Sequence, residues 1–302
     1  MVIAVTGATG FLGQALLDAA QGEGVPVRAL ARKPQPARPG VTWIAGDLGN
    51  HQALTELCTG AEAVIHVAGL VNTHDPADFV EANVTGTAHI IEAARAAGVA
   101  RLIFVSSLSA REPQLSAYGA SKARAERLVM ASGLDWTIVR PPTIYGPRDT
   151  EMFELFRAAK WGVVPVPRHG RSSIIHADDL AALLLALVPG GETVTRRNFE
   201  PDDGRPGGWS HGELARTIGS AVGRRPFVLR LPPRLMRWAA GADMRLRGPK
   251  AKLTLDRVGY MTHPDWVISD DARVPPELWR SQIATNEGLK ATAQWYREQG
   301  WL

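Results

Sequence analysis

Tyr118 and Lys122 stand four residues apart in Ala117-Tyr118-Gly119-Ala120-Ser121-Lys122, and a helix over that stretch puts both side chains on one face. An ammonium beside a phenol favours the phenolate, so the pair is expected to pull the phenol below its ordinary value of about 10 and make Tyr118 a general acid or base. Ser107, eleven residues earlier, is placed to hydrogen-bond a carbonyl or alcohol oxygen and hold it against that phenol. Asn83, within Glu81-Ala82-Asn83-Val84-Thr85-Gly86, is a fourth candidate, suited to support a water that relays the proton. A tyrosine four residues before a lysine is frequent by chance, so its meaning rests on the elements around it.

The first of those elements is a glycine-rich turn. Thr6-Gly7-Ala8-Thr9-Gly10-Phe11-Leu12-Gly13 lies between a buried-strand pattern and a helix pattern, with its glycines at spacing three and three. Gly7 permits a tight exit from the strand, Gly10 lets the backbone approach a pyrophosphate, and Gly13 lets the helix pack close to the sheet. The N–H groups and positive dipole end of the helix, reached through Thr9, Phe11 and Leu12, then face the anion. Together these point to a bound dinucleotide. Nineteen residues past Gly13 the chain carries Arg32-Lys33, where a cofactor without a ribose phosphate would prefer an acid. Cationic side chains neutralise a 2′-phosphate, so NADP is expected, with NAD possible. Asp47-Leu48, after the third strand, is placed to receive the adenine amine, although Asp47 is equally suited to cap the next helix.

The first 140 residues supply the scaffold by alternating short β-rich runs with Ala-rich helical ones. Strands are expected near 2–6, 25–31, 41–45, 63–68, 101–106 and 136–140, and helices near 11–21, 51–58, 78–97 and 117–132. Runs such as Leu102-Ile103-Phe104-Val105 are apolar throughout, as central strands of a doubly covered parallel sheet must be. The expected class is therefore α/β, a doubly wound sheet with a smaller substrate lobe. Residues 1–146 form the dinucleotide domain, 174–190 return to it as a strand and helix, and 147–173 with 191–302 form the lobe and C-terminal helices. Prolines 141, 142, 147, 165 and 167 mark the change of pattern. Most of the six tryptophans beyond residue 205 are expected to be packing.

Composition narrows the remaining classes. One cysteine, Cys58, gives no intrachain disulfide framework and suits a reducing compartment, so a cytoplasmic protein is expected. No apolar run approaches the roughly 20 residues of a membrane span. The eight histidines are scattered without ligand spacing, so no metal site is expected, and Ser106-Ser107 lacks the glycine-flanked elbow of a hydrolase nucleophile. The net charge of +4 is unevenly placed: Arg224 to Arg257 holds ten Lys/Arg against Asp243 and Asp256, hence +8, leaving −4 elsewhere. Leu231, Leu235, Met236, Trp238 and Ala239 interleaved with Arg230, Arg234 and Arg237 have the pattern of an interfacial helix. A helix packed on its own domain with arginines reaching outward is the favoured reading, and no nucleic-acid motif accompanies the charge.

In sum these motifs resemble the extended short-chain dehydrogenase/reductase family, which includes NAD-dependent epimerase/dehydratases, 3β-hydroxysteroid dehydrogenases and dihydroflavonol reductases. The matching stretches run from Thr6–Gly13 and Asp47-Leu48 through His66-Val67-Ala68-Gly69, Asn83 to Thr87 and Val105 to Ser107. They continue through Tyr118 to Lys122, Arg140 to Pro147 and His176 to Leu180. The resemblance implies a sheet of about seven strands, with Ala68 and Gly69 beside the cofactor and Lys122 on the nicotinamide ribose. It also implies that Pro141, Thr143 and Ile144 lie against the nicotinamide, and that the helices bearing Asn83 and Tyr118 pair in a homodimer. Leu108 and Ser109 follow Ser107 where dehydratases of the family carry an Asp-Glu pair, which argues against dehydration. Arg32 argues against a nucleotide-sugar epimerase with tightly held NAD. The expectation is an NADP-dependent enzyme interconverting a carbonyl and a secondary alcohol on a small-molecule substrate. The alternatives are that epimerase and a non-catalytic NADP-binding sensor or assembly subunit.

Overall fold

The computed structural model describes residues 1–248 and 251–302. Pro249 and Lys250, the latter part of the basic stretch, lie outside the described residues. Six apolar runs form β1 (Ile3–Thr6), β2 (Val27–Ala31), β3 (Val41–Ala45), β4 (Ala63–His66), β5 (Arg101–Val105) and β6 (Asp135–Val139). Further strands follow: β7 (Thr143–Tyr145), β8 (Val163–Pro167), β9 (Arg171–Ser172), β10 (Ile174–His176), β11 (Arg197–Phe199), β12 (Trp209–Ser210), β13 (Phe227–Leu231) and β14 (Asp265–Trp266). The first six and β11 make one parallel sheet in the order β11-β6-β5-β4-β1-β2-β3. The order reverses beside β1, and in such sheets ligands bind outside the carboxyl ends of the strands at that reversal.

Alternate residues of each strand feed two cores, as the two-residue period of a strand requires. Ile3, Val5, Ile65 and Ile103 pack under α1 (Phe11–Gly22) and the later α7 helix (Ala177–Ala186). Ala4, Val64, Leu102 and Phe104 face α2 (His51–Cys58), α4 (Gly86–Ala96) and α5 (Ala117–Ala131). The helix expected over 78–97 is built in three pieces: α3 (Pro76–Phe79), a π-helical turn Val80–Thr85, and α4. Such turns re-aim side chains within a helix and recur at functional sites, and this one carries Asn83.

The seventh strand lies elsewhere than the sequence suggests. Arg197–Phe199 pairs with Thr137–Val139 beyond the 174–190 return, whereas Ile174–His176 pairs with Thr143–Tyr145 in a separate two-stranded sheet. A three-residue edge strand containing exposed Arg197 has no apolar run to announce it, while Ile174-Ile175 has one. The helix α7 does pack along α1. In the second lobe, α6 (Phe153–Lys160), α8 (His211–Ala221) and α11 (Thr285–Glu298) enclose Tyr145, Phe156, Ile218, Leu289 and Tyr296. The chain then adds the parallel pair β8 and β13, α9 (Pro233–Arg247) and α10 (Leu255–Met261). No helix among the described residues is long and apolar enough to cross a membrane.

Candidate active site

The glycine loop has no room for side chains. At Gly7, with φ of +73°, a Cβ would lie 2.6 Å from the Ala68 amide nitrogen, and at Gly13 it would lie 2.1 Å from the Gly7 carbonyl. The N-terminus of α1 is therefore brought against the turn after β4. No side chain caps it and no acid stands in its first turn, while Thr9 and Gly10 are exposed. A diphosphate fits such an end, where the amides of Phe11, Leu12 and Gly13 open outward. Leu12 offers only its amide, since its side chain is buried in the core under α1. Arg32 and Lys33 are exposed past β2 and pair with no carboxylate among the described residues, whereas Arg38 is held by Asp18 at 2.7 Å. Asp47 does not cap α2: its Oδ1 accepts from Gly49 N at 2.9 Å, and Asn50 caps the helix by accepting from Ala53 N at 3.0 Å. Leu48 lies so close to Gly86 that a Cβ there would meet it at 2.6 Å.

Behind the loop runs a chain of buried hydrogen bonds that the sequence reading did not single out. Thr87 Oγ1 donates to the Asn83 carbonyl at 2.7 Å, so its proton is spent and it accepts from His66 Nε2 at 3.1 Å. A neutral imidazole protonated at Nε2 must accept at Nδ1, and Thr6 Oγ1 donates there at 2.6 Å while taking the Ala68 amide at 3.3 Å. Burial, aided by the charge of Lys122, pushes His66 down to about 3 and keeps the ring neutral. The motif His66-Val67-Ala68-Gly69 was visible, but the partners of the histidine lie 60 and 21 residues away.

Lys122, Asn83 and Gly69 meet beside this chain. A Cβ on Gly69 would stand 3.1 Å from Asn83 Oδ1 and 3.4 Å from Lys122 Nζ, so the exposed backbone there is open to a ligand and closed to a side chain. Asn83 Oδ1 accepts from Leu70 N at 2.7 Å, and Nδ2 donates to Leu70 O and Ser121 Oγ at 3.0 and 2.9 Å. The amide thus braces the turn after β4 against α5, and both its donors are spent before any water is reached. Lys122 Nζ donates to Val105 O at 2.8 Å and lies 4.7 Å over the Phe104 ring. Burial lowers Lys122 to about 8 against the opposing charge of Glu126.

Tyr118 contradicts the electrostatic expectation. Its ring lies 5.8 Å from Phe79 and 6.1 Å from Tyr260, and burial pushes the phenol up to about 12, with Ser107 pulling it down and Tyr260 adding to the rise. The i, i+4 spacing holds, but the ammonium is committed to Val105 and the Phe104 face, so desolvation decides the sign. The phenol is protonated at neutral pH. Ser107 ends the turn after β5, and its Oγ accepts from Ser109 N at 3.2 Å and Ser109 Oγ at 2.9 Å. The short connection from Ser107 to Tyr118 presses Ser109 O to 2.6 Å from where a Gly119 Cβ would be, which only glycine at 119 allows. Pro141 is buried and its carbonyl accepts from Leu108 N at 3.1 Å, while Thr143 is exposed and Ile144 half-buried on β7.

Two further contacts fix α5 and were not legible beforehand. Asp256, from α10, accepts from Ala117 N at 2.6 Å, adding a carboxylate to the helix start already capped by Ser116. Buried Glu126 accepts from Ser106 Oγ at 2.6 Å and takes a two-pronged contact from Arg140 at 2.8 and 2.7 Å. Arg140 and Arg111 also approach buried Glu200, at 3.7 and 3.1 Å.

The fold and the glycine loop are those of a dinucleotide-binding α/β protein, and comparison with known proteins gives the family. Residues 3–197 match the NAD dependent epimerase/dehydratase family, and the chain belongs to it. It is 40% identical over 311 residues to a ceramide reductase of Caulobacter vibrioides, covering 100% of this chain and 96% of that protein. It is 33% identical to a 4-hydroxy-2-methyl-3-oxo-4-farnesyl-3,4-dihydroquinoline-1-oxide ketoreductase of Stigmatella aurantiaca, over 96% of this chain and 95% of the relative. Among solved structures, that of gox2253 superimposes with a TM-score of 0.78 at 24% identity, covering 100% and 99% of the two chains. The protein is accordingly an NAD(P)-dependent reductase of the extended short-chain dehydrogenase/reductase type.

The buried imidazole makes a stability prediction. The native ring refuses a proton that the unfolded chain accepts near 6.5, so stability from His66 is present above that value and lost as pH falls towards about 3. Urea unfolding of the parent and of His66→Asn, compared at pH 7, 6, 5 and 4, should show the gap between them narrowing by about 1.4 kcal/mol per pH unit once pH is below 6. The comparison cancels Asp149, whose burial raises its carboxyl to about 7 and gives an opposite slope in both proteins. A gap independent of pH would mean that the native ring takes up protons freely.

Proposed function

We propose that this protein reduces a ketone carried on a long apolar chain to a secondary alcohol, using NADPH, with Tyr118 as the general acid. The observation that carries the reading is the Tyr118 phenol with the Ser107 hydroxyl beside it, on the helix that brings Lys122 Nζ against Gly69. Ser107 Oγ and Tyr118 Oη orient the substrate oxygen, and the phenol donates its proton to that oxygen as charge develops on it. When bound, the nicotinamide supplies the hydride that reaches the carbonyl carbon. Gly7 to Gly13 would hold the diphosphate, Asp47 and Leu48 the adenine, and Lys122 the nicotinamide ribose. Ala68, Gly69, Pro141, Thr143 and Ile144 would line the rest of the cleft. Arg32 and Lys33, exposed and unpaired with any described carboxylate, would neutralise a 2′-phosphate. The chemistry is that of the ketoreductase and ceramide reductase relatives, whose named substrates guide the choice of a long-chain ketone.

Tyr118→Phe should bind NADPH as the parent does and lose roughly 10²–10⁴-fold in kcat on a ketone substrate, the usual worth of a positioned acid. Turnover as fast as the parent's would remove the phenol from the mechanism. If the Lys122 ammonium is needed, kcat should fall as pH rises through about 8, since its proton leaves there while Tyr118 keeps its own to about 12. A profile flat to pH 10 would show that the charge is dispensable. Fluorescence titration should give tighter binding of NADPH than of NADH, and Arg32→Ala should weaken NADPH alone, by roughly tenfold for one lost charge-assisted contact. Equal affinities in the parent would overturn the NADPH assignment.

A further inference from the structure

The second lobe leaves an arginine-rich apolar face uncovered. On α9 only Met236 and Ala240 are buried, whereas Trp238 is 72% exposed and Leu246 85%, with Leu235 also exposed. The helix packs on its own domain through Met236 and Ala240, which meet Val258 of α10, with its arginines outward as favoured from sequence, but Trp238, Leu235 and Leu246 face outward with them. Leu235, Trp238, Ala242, Arg245 and Leu246 recur at helical spacing, and Trp238, Met244, Leu246 and Leu255 line a shallow groove of about 620 Å³. Apolar side chains are also exposed on the ribbon that leads into α9. There Val163 stands opposite Phe227 and Pro165 opposite Leu229, all exposed, with Phe227 at 67%. Trp161, 84% exposed, shares a groove with Pro165. An exposed apolar groove such as that lined by Trp238, Met244, Leu246 and Leu255 marks an interaction site.

Charge selects the occupant. Arg234, Arg237 and Arg245 are exposed among these side chains and pair with no carboxylate among the described residues, while the one acid of α9, Asp243, is taken by Arg247 at 3.1 Å. A second copy meeting this face through a two-fold axis would set arginine against arginine. An anionic bilayer surface matches both components: tryptophan and leucine enter the boundary between head groups and chains, and the arginines meet lipid phosphates. We infer that the face formed by α9 and the start of α10 docks the enzyme on anionic membrane surfaces.

The placement joins that face to the site. Leu255 lines the groove, its neighbour Asp256 holds the start of α5 at Ala117 N, and Tyr260 of the same short helix packs on Tyr118. A long-chain ketone resident in the bilayer would thus be met one helix away from the proposed acid. That consequence rests on the reductase reading above; the docking does not.

The test is co-sedimentation of the full chain with phosphatidylcholine vesicles, with and without phosphatidylglycerol. The parent should bind the phosphatidylglycerol vesicles at low salt and be released at high salt. Arg234→Gln combined with Arg237→Gln and Arg245→Gln should weaken binding roughly a hundredfold, about fivefold for each arginine at an anionic surface. Trp238→Ser with Leu246→Ser should weaken it even at low salt, and both variants should melt with the parent and reduce a water-soluble short-chain ketone at its rate. Failure of the parent to sediment with anionic vesicles, or sedimentation that neither variant changes, would overturn the docking. A parent dimer in sedimentation velocity that the Trp238 variant abolishes would overturn it too, by giving the face to a second copy. Vesicle binding that persists in a protein without ketone turnover would instead overturn only the reductase reading.

Discussion

Much of the cleft is held by the position of one proton, that on Nε2 of His66. Because Thr87 spends its own proton on the Asn83 carbonyl, the imidazole must donate on that side and accept from Thr6 on the other. Thr6 ends the strand that opens into Gly7, Ala68 follows the strand of His66, and Asn83 stands on the π-helical turn beyond. All of these side chains lie in a region closed to water, where an unpaired donor or acceptor costs about 1–3 kcal/mol. A protonated ring would have two donors, so the Thr6 hydroxyl would have to accept from Nδ1 and send its own proton elsewhere. The close approach of Gly7 to Ala68 and the brace from Asn83 to Leu70 are therefore two ends of one hydrogen-bonded unit.

The helix α5 is constrained from both lobes. Its own Ser116 and the distant Asp256 hold its start, while Glu126, one turn past Lys122, ties its middle to Ser106 and Arg140 at the ends of neighbouring strands. Glu126 carries a second consequence. Its charge opposes the effect of burial on Lys122 and keeps that amine from falling further than about 8. The same buried carboxylate thus positions the helix and sets how readily Lys122 gives up its proton. Since Asp256 lies on α10, the start of α5 is held by a part of the chain 139 residues further on.

What was legible in the sequence was what depends on local period and local sterics. Apolar runs announced the first six strands, and three glycines at fixed spacing announced a loop that has no room for a side chain at Gly7 or Gly13. The four-residue interval between Tyr118 and Lys122 correctly placed them on one helix. It could not give the sign of the phenol's shift, because that is set first by how far the fold buries the ring, beside Phe79 and Tyr260 from elsewhere in the chain. The strand Arg197–Phe199 carries no hydrophobic signal because a sheet edge demands little of one. Glu126, Arg140, Glu200 and Asp256 are ordinary charged residues until the fold brings them together, and no spacing rule links positions 117 and 256.

The exposed face of α9 poses the reverse problem, since there the sequence pattern and the packing disagree. A tryptophan and two leucines buried under a neighbouring element would each contribute about 1.5–3 kcal/mol to stability, and the chain forgoes that gain. Interleaved arginines are what such a helix needs to remain soluble in water while keeping those side chains available. The same interleaving makes burial against protein costly, because each guanidinium would have to be desolvated beside the apolar groups it separates. An interface that solvates arginine and tryptophan together resolves the conflict, and the boundary of an anionic bilayer is one. The pattern in α9 thus keeps Met236 and Ala240 for packing on α10, the helix whose Asp256 holds the start of α5, and leaves the rest of its apolar side chains outward.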